Sequence, residues 1–447
     1  MVGDMTKIFH WINTDYKSGG CKEVRKCIWG SLLVILIVSS VALAKDVEFW
    51  MVGWSNEMAK VAEGYINSEY TPKSGNNVRV IPLAWGDYYS KSLLALASGD
   101  TPDIFSLGSE IADFALRGGL IDLAAFKPKE YAELEKGIFT SIMGPFSFKA
   151  SRFAIPVDVG GNVGVYRVDL LKEMGMGIPE TWDELRSWQP KALAKGKTFA
   201  YTNFDDMWGA YTLITQNGGQ FFGPDGFSSA LDKPESVKGF TEFVELFTKH
   251  RLPQALVGME PFLRGEQLSY IDGLWVYGSL SQAAPNLAGK WQVGLIPGVN
   301  KNGKVHHGSF AGSVLLGISS FSKKKEEAWD FLKWFLSEDI QLKISNGIME
   351  KSNGWVWLPA NKGAMSKVNL PEQVRDVYYK QIEACAPVPY AVNALVQYRF
   401  VTLALQKCIT QKADPKVEIL EAAKSMNSEM ARRKKEYSRF LENVNKN

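Results

Sequence analysis

Aromatic side chains are abundant in this chain: 14 Trp, 16 Tyr and 24 Phe among 447 residues. Many of the Trp stand beside Gly, Ser or Asp rather than inside apolar runs. An indole in such surroundings suits the wall of a cleft, where its flat face covers apolar surface and its N–H finds an acceptor. Short polar side chains accompany these rings: Trp54 with Asn56, Trp85 with Tyr88, and Ser109 with Glu110. Further along, Asn162 follows Gly160 and Gly161, where missing side chains let a ligand approach the backbone. Trp208 and Tyr211 lie one helical turn apart, Gly312 and Ser313 offer backbone and hydroxyl groups, and Trp355 and Trp357 alternate along one segment, with Trp357 favoured as the inward member. Several positions have a second use: Ser55 or Asn56 as a helix cap, Tyr211 as core, Glu110 as a solvated carboxylate. Flat apolar faces beside fixed donors and acceptors form a recognition surface for polyols and sugars, whose rings present C–H patches edged by hydroxyls.

The rival chemistry is hydrolysis by a pair of carboxylates, for which Asp87, Glu110, Asp158, Asp206 and Asp272 are the candidates. No G-x-S-x-G turn and no His-Glu-x-x-His pair occurs, and Gly196-Lys197-Thr198 has Lys191 where a phosphate loop needs Gly. The four His do not fall at zinc-ligand spacing, and no metal or cofactor is expected.

The first 44 residues set the compartment. A basic segment precedes the apolar run Ile28 to Ala44, which ends in Ala42-Leu43-Ala44, small residues of the kind signal peptidase accepts. The expectation is a signal peptide over 1–44 and a periplasmic mature protein, with an uncleaved anchor as the alternative. No Cys follows the small residues, which argues against a lipoprotein. Beyond residue 44 there remain 46 basic and 45 acidic side chains, a net charge of +1. That balance argues against nucleic acid as partner, since phosphate binding needs a basic surplus. Cys385 and Cys408 are left as one pair, either a disulfide or two buried thiols.

About four hundred mature residues exceed what one hydrophobic core supports, so two lobes are expected. VEFWMV (47–52), VRVIPL (78–83) and the segment from Asp103 read as strands, separated by helices around Met58–Tyr65 and Tyr88–Ala97. Strands alternating with helices favour a doubly wound α/β sheet, with ligands at the strand ends. Thr181 and Glu184 form a capping box, and Pro234 opens a helix whose stripe is Val237, Phe240, Val244 and Phe247. Val314 to Ile318 reads as a buried strand before the amphipathic helix Lys325 to Leu336, whose Trp329 and Trp334, like Trp182, read as core. The expected division is 45–155 and 298–354 in one lobe, and 156–297 and 355–447 in the other, with hinge residues near Pro156, Pro297 and Trp357.

The order of motifs resembles the carbohydrate-binding extracellular solute-binding proteins of bacterial ABC importers. The matching stretches are Ser98-Gly99-Asp100-Thr101-Pro102-Asp103-Ile104, Gly119-Leu120-Ile121-Asp122-Leu123, Ile155-Pro156-Val157-Asp158 and Pro179-Glu180-Thr181-Trp182-Asp183-Glu184-Leu185. Asp272-Gly273-Leu274-Trp275 and the strand and helix from Gly312 to Leu332 follow in the same order. The resemblance implies two α/β lobes joined by hinge crossings, a carbohydrate ligand between them, a membrane permease with separate ATPases as partner, a monomer, and neither catalysis nor cofactor. It also implies ligand contacts at Asp158, at Trp275 as the stacking aromatic, and at Tyr398. The alternatives kept beside it are a secreted glycosidase, or the same fold binding a polyamine or phosphorylated polyol.

Overall fold

The computed structural model describes residues 46–438 except 109, 144–146, 149–150, 202–206, 255–257, 353–354 and 388–393. The signal segment and Ser109 lie outside the described residues.

Alternation in the first strand, β1 (Val47–Val52), buries Val47, Phe49 and Met51 on one face. Glu48 and Trp50 share the other, where the Trp50 indole donates to Glu48 at 2.7 Å. Ser55 caps the following helix, α1 (Asn56–Tyr65), by accepting from Met58 N. Next come β2 (Val78–Leu83), α2 (Tyr88–Ser98), β3 (Ile104–Leu107) and α3 (Ile111–Leu116). β1 pairs in parallel with both β2 and β3, which requires the crossovers that the helices supply.

The chain then runs through β4 (Ile155–Pro156) into the second lobe. There β5 (Asn162–Tyr166), α4 (Trp182–Ala194), β6 (Thr198–Tyr201), α5 (Met207–Gln216), α6 (Pro234–Thr248), β7 (Gln267–Gly273) and β8 (Gln292–Gly294) follow. β9 (Leu315–Ile318) returns to the first sheet, with α7 (Lys325–Phe335) and α8 (Glu338–Lys351) behind it. The remaining major helices are α9 (Glu372–Ala384), α10 (Ala394–Gln411) and α11 (Pro415–Glu436). The first sheet has the order β2-β1-β3-β9-β4 and the second β8-β5-β7-β6. Both are mixed: β9 is antiparallel to β3 and β4, and β5 is antiparallel to β7 and β8.

Each lobe has its own core. In the first, Phe49 meets Phe331 and Phe335 edge-on, and Trp329 is fully buried with its indole on Glu130. Burying one such ring contributes about 2–3 kcal/mol. The second sheet is covered on both faces: α4, α5, α6, α10 and α11 pack on one, and α9 on the other. Trp182 is buried there and donates to Gln216 at 2.8 Å, behind the Thr181–Glu184 capping box. Cys385 and Cys408 are free thiols, both buried.

The crossing expected near Pro297 is elsewhere. The Pro297 carbonyl accepts from Gln216 of α5, and Val299 packs on the second lobe's core. The chain makes a short hairpin over 299–306 before it crosses at 311–314.

The end of α11 returns to the first lobe. Arg117 donates to the Tyr437 hydroxyl at 3.2 Å, that hydroxyl lies 3.5 Å from Asp113, and Arg117 is 3.7 Å from Glu436. Leu116 packs into the second lobe's core. Burial pushes the Asp113 carboxyl up to about 6, against the pull of Arg433 and Arg117.

Two predictions follow from this packing. A Cβ on Gly239 of α6 would stand 2.4 Å from the Ile214 Cα of α5, so Gly239→Ala separates two helices and lowers stability by about 1–3 kcal/mol in urea titration. Because Asp113 has a raised carboxyl, the fold holds more protons than the unfolded chain between about pH 4 and pH 6. This contribution is complete below about pH 4 and disappears as pH rises through about 6. Asp113→Asn removes the dependence, so the stability of the variant relative to the parent rises from pH 5 to pH 8, by on the order of 2 kcal/mol in thermal melts.

Candidate functional site

Three backbone segments join the lobes, and they are hydrogen-bonded to one another. Val157 N donates to Val314 O at 3.0 Å, and Gly160 and Gly312 exchange bonds of 2.8 and 3.0 Å. Val159 N donates to Leu358 O at 3.0 Å and Ala360 N to Val157 O at 3.2 Å. The crossings are therefore 157–160, 311–314 and 357–360, with the first in the middle. Trp85, Asn162 and Trp275 lie at or near strand ends, whereas Trp208, Tyr211 and Tyr398 are on helices.

On the first-lobe side Trp54 is 5% exposed and Trp357 4% exposed, edge to face at 5.5 Å, and both belong to that lobe's core. Neither indole N–H has a hydrogen-bond partner, which costs about 1–3 kcal/mol each. Asn56 is exposed as the first residue of α1, beside the Ser55 cap. Trp85 is 57% exposed and stands edge-on to Tyr88 at 5.5 Å. It lies over Gly53, whose φ is +78° and whose added Cβ would be 2.7 Å from the Trp85 Nε1. Tyr88 is buried, and its hydroxyl bonds the Glu110 carboxylate, which also accepts from Gly108 N at 2.7 Å. Burial raises the Glu110 carboxyl, and burial together with that carboxylate raises the Tyr88 hydroxyl.

On the second-lobe side Trp275 leads into a helix directly after β7. Its ring and that of Trp355 are parallel within 1°, with centroids 6.1 Å apart, and Trp355 is 41% exposed. Beside them burial raises the Asp272 carboxyl, which accepts from the Tyr270 hydroxyl and from Gly273 N. Trp208 is half-buried and stacks on Phe310 at 4.6 Å, whereas Tyr211 is buried under it. Asn162 opens β5 with its N–H on Ser309 Oγ. Tyr398 is exposed on α10.

At the ladder itself, half-buried Asp158 accepts from Val314 N at 2.7 Å and from the Ser313 hydroxyl at 3.4 Å. Its carboxyl, like those of Glu110 and Asp272, is engaged within the protein.

The structure thus groups Trp85 with Tyr88 and Glu110, Trp208 with Tyr211, Trp54 with Trp357, and Asp158 with Ser313. Of two further aromatic partners, Phe310 escaped the sequence reading, whereas Trp355 was named there beside the favoured Trp357. Phe310 gave no signal beyond its ring. Trp355 did: it stands at the outer end of an apolar run in which Trp357, flanked by Val356 and Leu358, lies deeper. Among the described residues no group of three His, Cys, Asp or Glu could hold a metal ion.

Two α/β lobes, three crossings and aromatic rings at their margin define a binding protein that closes by a hinge. Residues 55–342 match the bacterial extracellular solute-binding protein family, and the chain belongs to it. It is 25% identical over 322 residues to the lactose-binding protein of Rhizobium radiobacter, covering 68% of this chain and 74% of that one. It is also 25% identical over 259 residues to the maltotriose-binding protein of Pyrococcus abyssi, covering 56% of this chain and 54% of that one. The sugar-binding protein MalE of Xanthomonas citri has the same fold, with a TM-score of 0.77 at 16% identity, over 88% of this chain and 99% of that one.

Gly53→Ala tests the packing of the exposed ring. The positive φ costs about 1 kcal/mol for a side chain, and the new methyl pushes Trp85 off its seat. We expect a lower melting temperature and an emission difference from the parent that vanishes when both carry Trp85→Phe.

Proposed function

We propose that this protein is the periplasmic sugar receptor of an ABC importer, capturing its ligand between the lobes and presenting the closed form to a membrane permease. The observation that carries this reading is the parallel pair Trp275 and Trp355, one at the end of a second-lobe strand and the other leading into the third crossing. Stacked indole faces beside a hinge suit the C–H face of a pyranose, and short polar groups nearby suit its hydroxyls. Trp85 provides an exposed face on the opposite lobe, so a ligand that touches both lobes only when they close shifts the equilibrium toward closure. The protein works as a monomer and needs no cofactor. The names of the lactose- and maltotriose-binding relatives support a sugar as ligand, and the family supports a location outside the cytoplasm.

The parts of the site differ in role. We read Trp275, Trp355 and Trp85 as the stacking surfaces, and Asn162, Gly312 and Ser313 as hydrogen-bonding groups at the margin. Trp54 and Trp357 support from the core. Glu110, bonded to Tyr88 and Gly108, shapes the first-lobe wall.

A panel of lactose, maltotriose, spermidine and inorganic phosphate decides the ligand class by thermal melting and Trp emission, because a ligand that binds only the folded state raises the melting temperature. A sugar should do so without being consumed. Trp275→Ala and Trp355→Ala should each weaken that sugar about tenfold or more in calorimetric titration while the melting temperature of the unliganded protein changes little. A shift by spermidine or phosphate alone would discard the sugar assignment, and disappearance of the sugar would make the protein an enzyme.

A further inference from the structure

Asp158 stands where resemblance places a ligand contact, yet its bonds run to the crossings. One carboxylate oxygen accepts from Val314 N at 2.7 Å and from Ser313 Oγ at 3.4 Å, both on the second crossing. The neighbouring backbone pairs Asp158 with Pro359 of the third. The Trp357 indole faces the same carboxyl, but in this geometry its N–H completes no hydrogen bond and is left buried without a partner. The segments 155–162, 309–318 and 355–361 contain no other charged side chain, and the largest influences on the carboxyl are burial and hydrogen bonds. A half-buried carboxylate with no cation beside it, placed at the middle strand of three, has one evident use.

We propose that Asp158 is the positioning residue of the hinge: its carboxylate fastens the second crossing through the Val314 N–H and meets the third through the Trp357 indole N–H, and so sets the lobe angle without touching the ligand. A small rotation of the third crossing brings the orphan indole within bonding reach, which gives the hinge two arrangements that differ by one buried hydrogen bond. The ladder of backbone bonds keeps the crossings paired in both. The part of this inference that concerns ligand affinity rests on the receptor reading above; the part that concerns lobe angle does not.

The test uses the intact protein, with Asp158→Ala, Asp158→Asn and, because the first can fail to fold, Trp357→Phe. Small-angle X-ray scattering without ligand reads the lobe angle directly. Asp158→Ala and Trp357→Phe should alter the radius of gyration and broaden the distance distribution. Asp158→Asn, whose side-chain oxygen still accepts from Val314 N, should restore the parental curve. Titration with lactose and with maltotriose reads the consequence. A hinge residue changes the competent fraction, so each sugar that binds is weakened by one common factor, about fivefold or more in Asp158→Ala, and Asp158→Asn recovers it. Curves that superpose for all variants overturn the proposal. So does a loss that is selective for one sugar, or that Asp158→Asn fails to rescue, because either marks a direct contact. If neither sugar binds, the receptor reading has lost its support while scattering alone still decides the hinge.

Discussion

The structure depends on backbone hydrogen bonding where three segments pass between the lobes. A crossing segment is the least shielded backbone in such a protein, with no helix of its own and no full sheet around it, so its N–H and C=O groups need partners from the other crossings. They find them: Val157, Val159, Gly160, Gly312 and Ala360 all donate across the ladder. Because the segments are tied to one another by these bonds, the crossings stay paired along the ladder. Gly160 and Gly312 face each other at its centre, where a Cβ on Gly160 would come within 3.7 Å of the opposite carbonyl. Trp275 follows a strand that pairs with the first crossing's continuation, and Trp355 leads into the third crossing.

The Trp side chains of this chain divide by burial. Trp54, Trp329 and Trp357 are all buried, and they pack against other rings or donate to a carboxylate. Trp85 and Trp275 come shortly after strands, Trp355 precedes the third crossing outside any strand, and all three are less buried. The carboxylates obey a similar division. Glu110, Asp158 and Asp272 all have raised carboxyls because burial penalises the charge, and each is held by backbone N–H groups and a hydroxyl rather than by a cation. Such groups make rigid walls, since breaking any of these bonds leaves a buried acceptor exposed to loss.

Local patterns were legible wherever one element decided the outcome. The strand at Val47, the Ser55 cap, the Thr181–Glu184 box and the helix from Lys325 were all readable because periodicity and cap chemistry act within a few residues. Two lobes followed from length and from the strand–helix alternation. The long-range facts were not readable. A Pro-Gly pair at 297–298 looked like a crossing, but whether a turn lies inside a lobe or between lobes depends on which core Val299 reaches, and periodicity carries no such information. The parity of Trp355 and Trp357 was open for the same reason: alternation shows that the two rings face opposite ways, not which way is inward. Asp158 was recognisable as a polar group at a crossing, but its bond from Val314 N was not readable, because that partner lies 156 residues away.

The lobes also touch outside the ladder, and the strength of that contact decides whether the hinge is free. Arg117 and Glu436 are both about 40% exposed and 3.7 Å apart, so water screens them and the pair contributes little, at most about 1 kcal/mol. Tyr437 is buried, but its hydroxyl reaches Arg117 and Asp113 at 3.2 and 3.5 Å, toward the long end of hydrogen bonding. Leu116 adds apolar contact with the second lobe's core. A clasp of this composition biases the lobe angle without locking it, because a ligand needs only a few kcal/mol of differential contact to move a two-state equilibrium. The bias is carried by α11, whose far end is anchored in the second lobe through Ile419, Ala422 and Met426. The C-terminal helix therefore touches both lobes: it packs on the second through Ile419, Ala422 and Met426, and its end meets Arg117 and Asp113 of the first.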